Sequence, residues 1–209
     1  MKIVGVSLRV VLDEHNESRD AISHDWIRLL SSYNVQPLLI CNTGIDLPEL
    51  LGEIKVSAFL LSNGNNIGES AERDETERKI IEYAIEHKVP LLGVCRGMQM
   101  INVYFGGNVC DLKDNAHVAT NHQIEIIEHR IYLGATGASV NSFHKQAVTM
   151  STISPSLKPF ALADDEIVEG LYHPSLPIIG IQWHPERDNP SKGIDNILIK
   201  SWLNQTELF

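Results

Sequence analysis

The chain has 209 residues, 43% of them apolar, with 17 Lys and Arg against 27 Asp and Glu and a formal net charge of −10. That length supports one sizeable core, and an acidic balance without a sustained basic run argues against nucleic acid as a partner. No apolar run is long enough for a bilayer, the first residues lack the features of a secretion signal, and Cys41, Cys95 and Cys110 form no Cys-x-x-Cys pair. A cytoplasmic single domain over residues 1–209 is therefore expected, without a disulfide framework, a Cys-rich zinc site or membrane attachment.

Lys2 to Arg9 reads as a first strand. Asp13 to Ser18 is a polar turn, with Ser18 the expected cap of a helix whose apolar face is Ile22, Trp26, Leu29 and Leu30. Val35 to Cys41 is a second strand, and Leu47, Leu50 and Leu51 mark a short helix. Val56 to Leu61 is the next strand, ending in the polar loop Ser62-Asn63-Gly64-Asn65-Asn66. The charged stretch from Glu69 to Glu77 opens a long helix with Ile80, Ile81, Ala84 and Ile85 inside and its charges read as a solvated face.

Val89 to Val94 then runs into Gly93-Val94-Cys95-Arg96-Gly97-Met98-Gln99, which combines a buried strand, a sharp turn and a helix start. A Cys at such a turn is pushed clear of both elements and lies over the unpaired N–H groups of the helix N-terminus. The flanking glycines allow strand and helix backbones to approach closely. Gln99, one turn on, faces the same side. The second half has short β-prone pieces at Val109 to Asp111, Gln123 to Glu128 and His129 to Leu133, then the stretch Asn141 to Val148, then two strands, Ile153 to Ala163 and Ile167 to His173. Ile178 to Trp183 is a buried strand leading into His184-Pro185-Glu186, and Ile194 to Leu203 is the last helix. The expected fold is α/β, a doubly wound, mostly parallel sheet of flavodoxin-like kind with antiparallel additions.

Polar chemistry follows two buried strands, at Cys95 and at His184. Ligands and reacting groups gather at the carboxyl edge of such sheets, so the two can meet there. Glu186 can accept from one ring nitrogen of His184 and leave the other for the thiol, which gives a nucleophile, a base and an orienting acid. His144, in a polar loop, is the competing base. His117, His122, His129 and His173 show no metal-ligand spacing, so no metal is expected.

Three motifs in order, Gly93 to Gln99, Asn141-Ser142-Phe143-His144-Lys145-Gln146-Ala147 and Gln182-Trp183-His184-Pro185-Glu186, resemble those of class I glutamine amidotransferase domains, in the branch of γ-glutamyl hydrolases related to the γ-glutamyl-γ-aminobutyrate group. The resemblance covers essentially the whole chain. It implies a Cys95–His184–Glu186 triad acting through a γ-glutamyl thioester. It also implies an oxyanion hole from the Gly64 and Arg96 backbone N–H groups, and a glutamyl pocket of Gln99 and the Asn141, Ser142 and Phe143 backbone. Many members carry Gly-Gly or Gly-Pro-Gly at the oxyanion turn, where this chain has Asn63-Gly64-Asn65. The chain is also shorter than typical γ-aminobutyrate-type hydrolases. A phosphorylated leaving group would draw on Arg73, Arg96, Lys145, Arg187, Asn65 and Asn66. No cofactor is required, though magnesium would suit a diphosphate substrate. The expected partner is a small γ-glutamyl substrate, ahead of a synthase that receives ammonia from this chain.

Overall fold

The computed structural model describes residues 1–43, 46–113, 116–128, 131 and 133–204. The elements in order are β1 (Lys2–Ser7), β2 (Arg9–Leu12), β3 (Ser18–Ala21), α1 (His24–Ser32), β4 (Val35–Ile40), α2 (Leu47–Glu53), β5 (Ala58–Leu61), α3 (Ala71–His87), β6 (Leu91–Val94), α4 (Arg96–Tyr104), β7 (Cys110–Asp111), β8 (Val118–Ile126), β9 (Gly137–Phe143), β10 (Gln146–Ala147), β11 (Lys158–Ala163), β12 (Val168–Tyr172), β13 (Ile178–Ile181) and α5 (Lys192–Asn204). A nine-stranded sheet has the order β4-β1-β5-β6-β13-β12-β11-β8-β9. The first five strands pair in parallel. The last four join antiparallel. This is the wound α/β sheet with antiparallel additions that the pattern of elements implies.

Alternation along the strands builds two cores. Val4, Val6, Leu60, Leu92, Val94, Ile179 and Ile181 face one way and pack with Trp26 and Leu30 of α1 and Leu198 and Trp202 of α5. Phe59, Leu61, Leu91 and Ile178 face the other way, against Leu47 and Leu51 of α2, Ile80 and Ile81 of α3 and Met98 and Ile101 of α4. A period of two in each strand thus forces helices onto both faces. No helix among the described residues is long and apolar enough to cross a membrane.

Three local readings change. Ser18 pairs with Leu12 in the β2–β3 hairpin, so it cannot cap α1. Ser23 does so, accepting from the Asp25 N–H. Turn residues Asp13 and Asn16, with a left-handed Asn16, close that hairpin. The start of α3 is also not uniformly solvated, because Arg73 and Glu77 are wholly buried. The expected strand at residues 129–133 lies largely outside the described residues, and so does His129.

Candidate active site

Strands β6 and β13 are parallel neighbours with Ile181 opposite Val94. Cys95 follows one and His184 the other, so both emerge at the same edge of the sheet. Cys95 has φ 54° and ψ −106° and makes no capping bond to α4. Its backbone is pinned on both sides: its N–H donates to the Ile181 carbonyl at 2.8 Å, and its carbonyl accepts from the Gln99 N–H at 3.1 Å. A left-handed Cys is strained, and it persists where the surroundings over-determine it. The glycines permit this. A Cβ on Gly93 would stand 2.5 Å from the Gly97 carbonyl carbon, and one on Gly97 would run into the Leu61 carbonyl oxygen.

The ring of His184 is buried, and Nδ1 lies 2.8 Å from Glu186 Oε1. Glu186 therefore accepts a hydrogen bond from Nδ1–H. Nε2 has no hydrogen-bond partner among the described residues. Burial works against a charge on this ring, but the Cys95 sulfur and the Glu186 carboxylate outweigh it and push the His184 pKa up to about 9. Sulfur and ring thus interact electrostatically without an aligned hydrogen bond, a looseness common before substrate is bound. His144 does not compete for this position: its Nδ1 lies 3.0 Å from the Gln146 carbonyl and its Nε2 3.5 Å from Glu169.

Asn141 clamps the backbone of His184. Its Oδ1 accepts from the His184 N–H at 2.8 Å, and its Nδ2 donates to the His184 and Asp188 carbonyls. The Ser142 hydroxyl donates to the His117 carbonyl. Of the four residues expected at the glutamyl pocket, Gln99 and Phe143 line the cleft at Cys95, where the Phe143 ring stands edge-on to His184 and under the Arg187 guanidinium. Gln99 has its Nε2 committed to the Gln146 carbonyl and the Gln182 side chain.

The turn after β5 is braced from α3. Arg73 donates Nη1 to the Gly64 carbonyl and Asn65 Oδ1, Nη2 to the Ser62 and Asn63 carbonyls, and Nε to Glu77. Arg96 pairs with Glu77 and Asp74. Glu77 also accepts from Ser7. Burial raises the Glu77 pKa, yet Arg96 and Arg73 together hold it below the usual carboxylate range. One helix thereby fixes both the Gly64 turn and the residue after Cys95. Gly64, at φ 87°, donates its N–H to no atom among the described residues. Arg96 opens α4, so its N–H has no helical carbonyl to reach.

This corrects part of the expected phosphate-contact set. Arg73 and the Arg96 guanidinium are consumed by buried pairing, and Asn65 is spent on Val10 and Arg73. All of the expected set but Arg73 line the cleft, whose volume is about 410 Å³, and of these Lys145 and Arg187 carry charges outside that buried pairing. Asn66 is itself bonded to Glu69. Arg9, which the sequence did not single out, lines it as well. Also missed was Asn63, whose Oδ1 accepts from the Trp26 indole at 2.9 Å and whose Nδ2 lies 3.3 Å from His184 Nδ1. No spacing rule signals such a contact, since it joins α1, a loop and the segment after β13.

Residues 61–186 match the model of the Peptidase C26 family. The chain is 33% identical over 214 residues to the γ-glutamyl-CDP-amidate hydrolase of Campylobacter jejuni, covering 96% of this chain and 97% of that protein. It is 32% identical to a glutamine-hydrolysing GMP synthase subunit of Pyrococcus furiosus over 61% of this chain and 67% of that one. A glutamine amidotransferase structure from Thermotoga maritima superposes with a TM-score of 0.66 at 16% identity, covering all of this chain and 87% of its own.

Proposed function

The chain belongs to the Peptidase C26 family, and from that premise we propose that it cleaves the amide C–N bond of a γ-glutamyl compound through a thioester on Cys95. The sulfur attacks the γ-carbonyl carbon. The developing oxyanion is held by the Gly64 and Arg96 N–H groups. His184 delivers its Nε2 proton to the leaving nitrogen, the C–N bond breaks and the amine departs. Water then attacks the thioester while His184 takes its proton, the C–S bond breaks and glutamate leaves. Glu186 keeps the ring in the orientation that both steps need, with the proton held at Nδ1 and Nε2 left to give and take the second one.

The proposed substrate is γ-glutamyl-CDP-amidate, giving glutamate and cytidine diphosphoramidate, in the modification of capsular polysaccharide. The observation that carries this is the 33% identity with the Campylobacter hydrolase over nearly the whole of both chains. The diphosphate would meet Arg9, Lys145 and Arg187 at the cleft rim, and magnesium can accompany it without taking part in amide cleavage. A second reading, a glutaminase subunit that hands ammonia to a synthase, is favoured by the likeness to the GMP synthase chain. The test is a panel of glutamine, γ-glutamyl-γ-aminobutyrate and γ-glutamyl amidates with and without the nucleotide diphosphate. The nucleotide-bearing amidate is expected to have the highest kcat/KM by at least about tenfold, about 1.4 kcal/mol of transition-state binding. Equal turnover of glutamine by the isolated protein would overturn the substrate, and silence until a synthase is added would favour the second reading.

A further inference from the structure

Behind the Phe143–Gln146 wall of the cleft, β8, β9 and β12 bring four titratable side chains together. Glu169 on β12 is wholly buried, and neither of its carboxylate oxygens has a hydrogen-bond partner among the described residues. Three imidazoles converge on Oε1: His122 Nε2 at 3.3 Å, His144 Nε2 at 3.5 Å and His117 Nδ1 at 3.9 Å. Ligand atoms of His117, His122 and Glu169 all lie within 4.8 Å of one another.

The approach distances are short, but the orientation is not that of hydrogen bonds. Nε2 of His122 and of His144 are buried and unpartnered despite their closeness to the carboxylate. Around a four-coordinate zinc with nitrogen and oxygen ligands, neighbouring ligand atoms stand about 3.3–3.4 Å apart. His122 Nε2 already stands at that spacing from Oε1, while His117 Nδ1 is wider at 3.9 Å and leaves the Ser142 hydroxyl, 3.4 Å away, when it ligates. Two of the rings are also held from the far side, while His122 Nδ1 is buried with no partner among the described residues. His117 Nε2 lies 2.8 Å from Asp165 Oδ2 and His144 Nδ1 lies 3.0 Å from the Gln146 carbonyl. Outer acceptors of this kind fix ring orientation and leave the other nitrogen free to ligate.

The backbone explains how the set forms. His117 and His122 are five residues apart, which in a regular strand puts them on opposite faces. Between Val118 and Thr120 the pairing with β9 slips by one residue, and Ala119 sits there at φ 54°. This bulge returns both rings to one face. The left-handed Ala is therefore the local cost of assembling the cluster.

We propose that His117, His122 and Glu169, with His144 beside the carboxylate, form a binding site for one divalent transition metal ion of the zinc class, which ties β8 and β12 to the cleft wall. The donor set of two imidazoles and one carboxylate suits zinc or cobalt(II) better than magnesium or calcium. The ion is a positioning element. It fixes Glu169, which lies 3.5 Å from His144 Nε2, and the Gln146 carbonyl bonded to His144 also receives Gln99 Nε2 from the cleft. Nothing in the amide chemistry proposed for Cys95 is routed through it.

The full chain, stripped with chelator and dialysed, is titrated with Zn²⁺ against a chromophoric competitor, and separately with Co²⁺ while visible spectra are recorded. One equivalent is expected to bind. Co²⁺ should give ligand-field bands without a thiolate charge-transfer band, and near-saturating Zn²⁺ should raise Tm by about 5 °C or more. Glu169→Gln and His122→Ala should abolish stoichiometric binding. Since these may disturb folding, Asp165→Asn, at a half-exposed residue, is the second probe and should weaken binding about tenfold or more with the fold intact. Cys95→Ser should bind as the native chain does. Folded native protein that binds no ion, or binding that disappears in Cys95→Ser, would overturn the proposal and leave the cluster as a buried His–Glu ion pair.

Discussion

On the parallel side of the sheet, β6 and β13 end together, and the residues just past them, Cys95 and His184, meet though far apart in the chain. On the antiparallel side, His117, His122, His144 and Glu169 meet only through a bulge and two strand pairings. The first assembly follows from a general property of parallel sheets, whose carboxyl ends share one edge. The second depends on register, which one inserted residue reverses. The two sides also handle buried charge differently. Glu77 is held by two guanidiniums that stay charged at any working pH. Glu169 faces only imidazoles, whose charge varies with pH or with a bound ion.

The largest expected effect isolates the parallel side. Replacing Cys95 with Ala should cost about 10⁴-fold or more in kcat/KM, as loss of a covalent nucleophile does. Thermal stability should stay nearly level, because Ala keeps the Cβ and the same strained backbone at φ 54° and loses only the sulfur. A variant with a lower Tm and substantial residual turnover would show that the elbow is structural.

Next comes the buried pairing beneath that elbow. Glu77→Ala leaves Arg73 and Arg96 without their shared carboxylate and should destabilise by about 3–5 kcal/mol in urea melts. The pH dependence has a definite sign. The folded pKa of Glu77 is depressed, so its contribution is present above the ordinary carboxylate pKa and is lost as pH falls through the folded value. Glu169, pulled down to about 2 by His122 and His144 against the effect of burial, follows the same rule. Stability that stayed constant between pH 5 and about 2 would contradict both assignments.

Glu186→Gln tests the orienting role with a smaller effect, about 10²-fold in kcat/KM. Its sharper signature is the alkaline limb of the pH profile. His184 has a folded pKa of about 9 against an ordinary 6.5. The stabilisation it supplies is complete below about 6.5 and lost as pH rises through about 9. Without the Glu186 charge the limb should move to lower pH. An unmoved limb would assign the shift to Cys95 alone.

Asn63→Ala should lower kcat/KM by about tenfold, since the amide, held by the Trp26 indole, packs against the Nδ1 edge of the His184 ring without touching the reacting atoms. Asn63 also shows where legibility ended. The elbow, the His184-Pro185-Glu186 segment and the alternating strands could be read in the sequence because each is a local pattern with a steric or electrostatic cause. Arg73 looked like a surface charge because its neighbours in the chain are charged. It is buried because α3 turns it under the Gly64 loop. Asn141 looked like a pocket residue but holds the backbone of His184 from β9, a contact that no spacing encodes.

The smallest effect bears most directly on the antiparallel side. Ala to Gly inside a regular strand destabilises by about 0.5–1 kcal/mol, because Gly loses more backbone freedom on folding. At a left-handed position the Cβ itself costs roughly 1–2 kcal/mol, which Gly avoids. Ala119 sits at φ 54°, where β8 slips by one residue against β9. The two contributions oppose each other, and the steric one is larger. Ala119→Gly should therefore stabilise by about 0.5 kcal/mol, or about 1–2 °C in Tm for a chain of this size. A loss of the same size would mean a regular strand, which would return His117 and His122 to opposite faces and remove the physical basis for their meeting at Glu169.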